Sequence, residues 1–152
     1  MNGTIHSIFV TDTTGATPAS VHSIRAVPGK GLEGDRYYHK AGHWSHNGNL
    51  PRDVTLVDIE TLERVEKEYD IVIEPGEHRR NIETKGVDLS QLIGREFRIG
   101  YIALQGIRVC EPCAHLVDLT GKQPLLKGLV HSGLVAEILT DGVMNVGDQI
   151  QK

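Results

Sequence analysis

Sulfur, aromatic rings and basic charge are all scarce in this sequence. Its 152 residues hold two cysteines, two methionines, one tryptophan and two phenylalanines, and aromatic side chains make up 5% of the chain. Two thiols as close together as Cys110 and Cys113 cannot form the disulfide framework of a small secreted protein. A chain of this length buries roughly two-thirds of its unfolded surface, so it needs neither bridges nor metal to fold. No apolar run approaches the ~18–20 residues that span a bilayer. The opening Met1-Asn2-Gly3-Thr4-Ile5-His6 lacks the basic and apolar segments of a secretory signal. A cytoplasmic protein without membrane insertion is therefore expected. Lys and Arg number 16 against 20 Asp and Glu, a formal charge of −4 with His neutral. That excludes general nucleic-acid binding, which rests on a broadly basic face. A local basic pocket is still compatible with this balance.

Glycine is abundant. Seventeen glycines punctuate short runs of β-formers, the pattern of an all-β sandwich or barrel. Ile5 to Val10 and Val21 to Val27 read as strands around the turn Thr11 to Gly15. Arg95 to Cys110 reads as paired strands turning near Gly100 or Gly106. Leu134 to Thr140 and Val143 to Ile150 read as a hairpin around Asp141-Gly142. One segment is helical: Ile59, Leu62, Val65 and Tyr69 share a stripe, Asp58 is placed to cap it, and Glu60–Arg64 and Glu63–Lys67 are four apart. Short helical turns are expected around Leu89 to Ile93, beginning near Asp88 or Ser90, and around Pro124 to Val130. No βαβ alternation, internal repeat or low-complexity stretch is apparent, so a doubly wound sheet is not expected and 1–152 reads as one domain. The stretch from Lys40 to Arg52 has no pattern, which marks a functional or mobile loop.

The sharpest chemical candidate is Arg108-Val109-Cys110-Glu111-Pro112-Cys113-Ala114-His115. A thiol acts as nucleophile or ligand only as thiolate, and nearby cations or helix amides bring its pKa down from ~8.5. Pro112 ends the strand, and Ala114 to Leu119 is able to begin as a helix whose free amides favour a negative sulfur. Arg108 and His115 are the nearest cations in sequence. The pair suits several readings: half of a zinc site completed by His115 and His131, a redox dithiol, two buried inert thiols, or a reactive sulfur in a pocket. A second candidate is Glu77-His78-Arg79-Arg80-Asn81-Ile82, where adjacent arginines before a strand point to opposite faces, one into a pocket and one into water. Guanidinium forks suit phosphate, sulfate or carboxylate. A third is Gly31-Leu32-Glu33-Gly34-Asp35-Arg36-Tyr37-Tyr38, a turn able to set amides around an anion. It matches neither the dinucleotide nor the P-loop fingerprint. His39, His43 and His46 have ligand-like spacing but no acidic partner at helical spacing, so a His-rich loop is the better reading than a metal site.

Taken in order, these segments resemble the MOSC domain, the family related to the C-terminal domain of molybdenum cofactor sulfurase. Gly31-Leu32-Glu33-Gly34-Asp35-Arg36-Tyr37 is similar to the family's early element. Val54-Thr55-Leu56-Val57, Arg79-Arg80-Asn81-Ile82 and Gly86-Val87-Asp88-Leu89 are similar to its centre. Cys110-Glu111-Pro112-Cys113 resembles its cysteine segment, and Gly133-Leu134-Val135-Ala136-Glu137 through Val146-Gly147-Asp148 its closing hairpin. The likeness is clearest over 31–150. It implies a mainly antiparallel β-barrel with peripheral α-helices and makes Cys113 the characteristic cysteine, with Cys110 a second thiol. In the family that cysteine is thought to carry sulfane sulfur as a persulfide or to ligate molybdenum of the molybdopterin cofactor. Pyridoxal phosphate belongs to a separate domain of larger relatives and is not expected in this chain alone. Between His131 and Leu134 stand only Ser132-Gly133, and Val135 replaces a common arginine. The implied anion pocket therefore relies on Arg79, Arg80, Asn81, Arg108, Gly34, Asp35, Arg36, His115 and His131. The implied activity is sulfur transfer through Cys113, with a cysteine desulfurase-like sulfur donor or a cofactor acceptor as partner. The alternatives are a molybdenum-cofactor oxidoreductase with Cys113 as metal ligand, and a non-catalytic cofactor or sulfur-carrier module.

Overall fold

The computed structural model describes residues 3–13, 15–38, 52–112 and 114–152. Seven strands close into a barrel: β1 (Gly3–Val10), β11 (Gln149–Gln151), β7 (Glu96–Ile99), β8 (Ile102–Arg108), β9 (Leu134–Ile138), β5 (Val54–Asp58) and β6 (Ile82–Lys85), with β6 pairing back to β1. Closure removes the unpaired edges that an open sheet would present. A short strand β2 (Ala19–Val21) extends β1, and β3 (Ser23–Val27), β4 (Gly31–Leu32) and β10 (Gly142–Asn145) form a second small sheet. Ala26, Leu32 and Met144 from that sheet join Ile5, Leu56, Phe97, Leu104 and Leu134 in the barrel core. The sequence expectation of a mainly β barrel with peripheral helices holds.

Strand β5 shows how one strand serves two cores. Val54 and Leu56 point into the barrel, while Val57, on the opposite face, packs with Leu62 and Val65 of α1 (Ile59–Tyr69) and with Leu116, Leu125 and Leu129. Those last residues belong to or follow α2 (Ala114–Thr120) and α3 (Gln123–Gly128). Burial on both faces explains why β5 is apolar at Val54, Leu56 and Val57 without strict alternation, while the buried Thr55 is satisfied by Asn81. Helix α1 starts where the sequence places it: Asp58 accepts from the Thr61 amide at 3.0 Å and from its hydroxyl at 2.7 Å. It ends at Asp70 in the left-handed region, φ 52°. Asp88 caps the 3-10 turn Leu89–Leu92 in the same way.

Several expectations are corrected. β5, α1 and β6 form one parallel βαβ crossover, although the sequence shows no such alternation. The intervening turn segment contains the functional candidates His78 to Asn81 and hides the unit. The stretch from Val21 to Val27 is not one strand: it breaks at His22, β2 staying with β1 while β3 pairs with β10. The hairpin around Asp141-Gly142 does not form. β10 leaves β9 and pairs with β3, Val143 facing Arg25, and Arg25 holds the Asp141 carboxylate at 3.1 and 2.9 Å. Arg64 pairs with Glu68 at 3.0 Å and not with Glu60, whose carboxylate takes the Gly86 amide. The turn between β7 and β8 is at Gly100, and Gly106 lies inside β8.

Gly106 has a different reason to be glycine. The carbonyl of Leu92 lies against its Cα, where any Cβ would overlap it, and the Gly106 carbonyl accepts from the Gly94 amide at 2.9 Å. Gly106→Ala should therefore lower stability in urea denaturation by about 3 kcal/mol, the upper range for overpacking. A loss under about 0.5 kcal/mol, typical of an open surface site, would contradict this close approach.

Candidate functional site

The turn before β6 sets the site. Arg79 takes a left-handed conformation, φ 63°, with its amide bonded to the Gly76 carbonyl at 3.0 Å. The two arginines therefore do not alternate as strand residues would, because β6 begins only at Ile82. Neither lies freely in water. Arg79 is half-buried and its Nη1 donates to the Ala16 carbonyl at 2.6 Å. Arg80 is buried; Nη1 donates to the His78 carbonyl and Nη2 to the Cys110 carbonyl, both at 2.8 Å. One guanidinium thus joins the arginine turn to the cysteine segment.

Around this link the chain accumulates positive charge. Arg36 and Arg52 both approach the ring of Tyr37, at 4.7 and 5.2 Å from its centroid. Such placement offsets part of the cost of holding cations close together. Arg36 reaches the Arg79 carbonyl at 3.4 Å, and the two guanidiniums repel. Partial burial first, then Arg36, lowers the Arg79 pKa. Partial burial, then Arg52, lowers that of Arg108, while Cys110 opposes both. Charge therefore runs from Arg79 through Arg36, Tyr37 and Arg52 to Arg108 and Cys110. Asp35 places a carboxylate within this run and contacts Arg36 at 3.4 Å. The Nε of Arg52 is buried and without a hydrogen-bond partner among the described residues.

A bulge at β8 helps to aim the cluster. Pairing with β9 slips between Gly106 and Arg108, an irregularity that breaks alternation and redirects the next side chain. The strand ends at Arg108, short of Pro112. Cys110 is 2% exposed and packs against Gly133, φ 77°. Helix α2 begins at Ala114, as the sequence suggests. Cys113, His39, His43 and His46 lie outside the described residues, as does the side chain of His115.

Other predicted residues have mainly internal partners. Asn81 ties three segments together: Oδ1 accepts from the Thr55 amide and hydroxyl, both at 3.2 Å, and Nδ2 donates to the Phe9 carbonyl at 3.2 Å. Asp35 accepts from the Thr11 amide at 3.2 Å, while the Asp35 and Arg36 amides meet the carbonyls of Leu32 and Thr11. Gly34, φ 90°, makes the turn between them. His131 is largely exposed, takes φ 60°, and lines a cleft of about 260 Å³ with Asp58, Asp88 and Val109. Its amide donates to the Glu111 carboxylate at 2.6 Å. Among the described residues no group of three or more His, Cys, Asp or Glu is arranged to hold a metal.

Sequence reasoning gave no role to Arg52, Tyr37, His78 or Glu83. His78 is fully buried. Its Nδ1 accepts the Arg80 amide at 2.9 Å, so Nε2 carries the proton and donates to Glu83 at 2.7 Å. Burial pushes the imidazole pKa down, against the pull of Glu83. Burial raises Glu83, but the His78 bond and contacts from His6 and Ser7 outweigh it and bring it below its usual range. A signal was present in principle, since His78 adjoins the arginines, but no spacing rule links it to Glu83 across the turn.

A family model for the MOSC domain matches residues 43–151. The chain belongs to the MOSC family. No curated protein matches it. Among solved structures it is similar to the YuaD protein of Bacillus subtilis, at 19% identity and TM-score 0.79, over 99% of this chain and 94% of that one. It is also similar to YiiM from Geobacillus stearothermophilus, at 17% identity and TM-score 0.73, over 98% and 74%. YiiM from Escherichia coli gives 17% and 0.68, over 97% and 68%. At these identities the structural likeness shows the MOSC barrel alone. No helix among the described residues is long and apolar enough to cross a membrane.

The pKa directions at His78 and Glu83 predict acid sensitivity. Both groups bind protons less readily folded than unfolded, so their stabilisation is complete above the unfolded histidine value of about 6.5 and is lost as pH falls. Urea midpoints should drop between neutral and mildly acidic pH, and His78→Gln should flatten that slope. Comparing the two proteins cancels the contribution of Asp53, whose carboxyl is pushed up by burial and acts in the opposite sense. Parallel slopes would show that His78 is not responsible.

Proposed function

We propose that this MOSC protein handles sulfane sulfur, with Cys113 as the carrier. The observation that supports it best is the pair of cations tied to Cys110: Arg80 is bonded to its carbonyl, and Arg108 interacts electrostatically with it and with Arg52. A positive field favours thiolate over thiol and persulfide anion over its protonated form. In the reaction, the Cys113 thiolate attacks the outer sulfur of a donor persulfide. The donor S–S bond breaks, the donor thiolate leaves, and Cys113 holds the persulfide. An acceptor nucleophile then takes that outer sulfur and the thiolate returns, with no net redox change. A desulfurase-type protein is the matching donor class. Cys110 would serve as a resolving thiol only after local opening, since it is buried.

A second reading is favoured by the same arginines. The Arg52 Nε, buried and without a partner among the described residues, fits a phosphate-bearing group, so Arg52, with Arg79, would hold the phosphate of a molybdopterin-type cofactor. Such a cofactor supplies a redox-active metal, to which Cys113 would offer a soft thiolate. Sulfur transfer would then be directed to that cofactor.

Intact-mass measurement of gently purified protein tests the first reading. After exposure to a persulfide donor, the wild type should gain the mass of one sulfur atom; Cys113→Ala should not, and Cys110→Ser should. Absence of the adduct from the wild type would refute the sulfur-carrier function. Metal analysis of protein from molybdenum-sufficient cells tests the second, and the absence of both molybdenum and pterin would refute it.

A further inference from the structure

The proposed chemistry gives no task to the buried pair His78 and Glu83, although a buried carboxylate and imidazole are costly unless closely partnered. Their bonding is continuous with the site. Glu83, on β6, is flanked by His6 Nδ1 from β1 at 3.3 Å and accepts from His78 Nε2 at 2.7 Å. The other imidazole nitrogen accepts the Arg80 amide at 2.9 Å, and the His78 carbonyl accepts Arg80 Nη1 at 2.8 Å. The remaining arm of that guanidinium, Nη2, reaches the Cys110 carbonyl. The ring of Phe9 stands edge-on to His78, centroids 5.5 Å apart, and fixes its plane. The imidazole side chain and the carbonyl of one residue therefore grip both ends of Arg80. Burial inside this turn shields the grip from water, and the charged groups acting on it are Glu83, Arg80 and Glu77.

We propose that His78 is a positioning residue: held by Glu83, it locks the Arg80 guanidinium onto the Cys110 carbonyl and so sets the reactivity of the cysteine segment. This rests on the reading of Cys113 as an activated thiol. Without the imidazole the Arg80 amide loses its acceptor, the turn is free to relax, and the guanidinium loses its fixed approach to Cys110. A neutral imidazole is required, because protonation of Nδ1 would remove that acceptor.

Two readouts on His78→Leu and His78→Gln separate this role from simple support of the fold. The first is hydrogen exchange of the Arg80 guanidinium protons by NMR. The second is the pH profile of Cys113 alkylation by iodoacetamide, resolved by peptide mass spectrometry. His78→Leu should abolish the exchange protection and move the alkylation midpoint up by roughly one pH unit, with rates at neutral pH falling roughly tenfold. His78→Gln, whose amide both accepts and donates, should restore much of both. If His78→Leu does not fold, Glu83→Gln, which keeps the shape and removes the charge, should give the same pattern in weaker form. Unchanged Arg80 protection in a folded variant overturns the lock. Lost protection with a wild-type alkylation profile overturns its link to reactivity. Should Cys113 of the wild type behave as an ordinary thiol, the sulfur-handling reading and that link fail together, while Arg80 protection still decides whether the lock exists.

Discussion

The site depends on one side chain bridging two segments that the barrel topology brings together. Arg80 stands at the end of the βαβ crossover and Cys110 just beyond β8, and the Arg80 guanidinium donates to carbonyls on both sides. A buried guanidinium is tolerable only when its donors are satisfied and its charge is compensated. Here two carbonyls accept from the Nη atoms, and the His78 that supplies one of them is itself bonded to Glu83. The backbone of the cysteine segment is consequently held by a buried charged group bonded through both of its Nη atoms.

The arginines beyond it create the opposite condition. Arg36 and Arg79 lie close enough to repel, as do Arg52 and Arg108, and Asp35 is bonded to Arg36. Like charges this close cost free energy. The fold accommodates it through the Tyr37 ring, the left-handed turn at Arg79 and the bulge in β8. Each is a local departure from regular structure. Departures of this kind concentrate where function, and not stability, selects the geometry.

Much of the fold was legible because periodic burial and capping are local. Asp58, Leu62 and Val65 announce α1 without any tertiary information, and Phe97 and Ile99 announce β7. The Asp141-Gly142 hairpin failed because the Arg25–Asp141 pair and the β3–β10 ladder are long-range, and a turn signal says nothing about which neighbour a strand takes. Arg79, Arg80 and Arg108 were recognisable as anion-binding types, but their roles differ through geometry: Arg80 is built into the backbone network while Arg79 and Arg108 belong to the charged cluster. Arg52 looked like the end of a loop, and only the aromatic ring between it and Arg36 reveals its place. Membership of the MOSC family was readable from the order of weak motifs, none of them specific alone.

The proposed function requires that Cys113 be ionised near neutral pH. A thiolate absorbance titration of the wild type, with Cys113→Ser subtracted so that only the Cys113 signal is followed, decides this. A Cys113 midpoint well below the ordinary ~8.5 of a free thiol, rising with added salt as the field is screened, is the predicted result. A midpoint at or above that value, insensitive to salt, would contradict it.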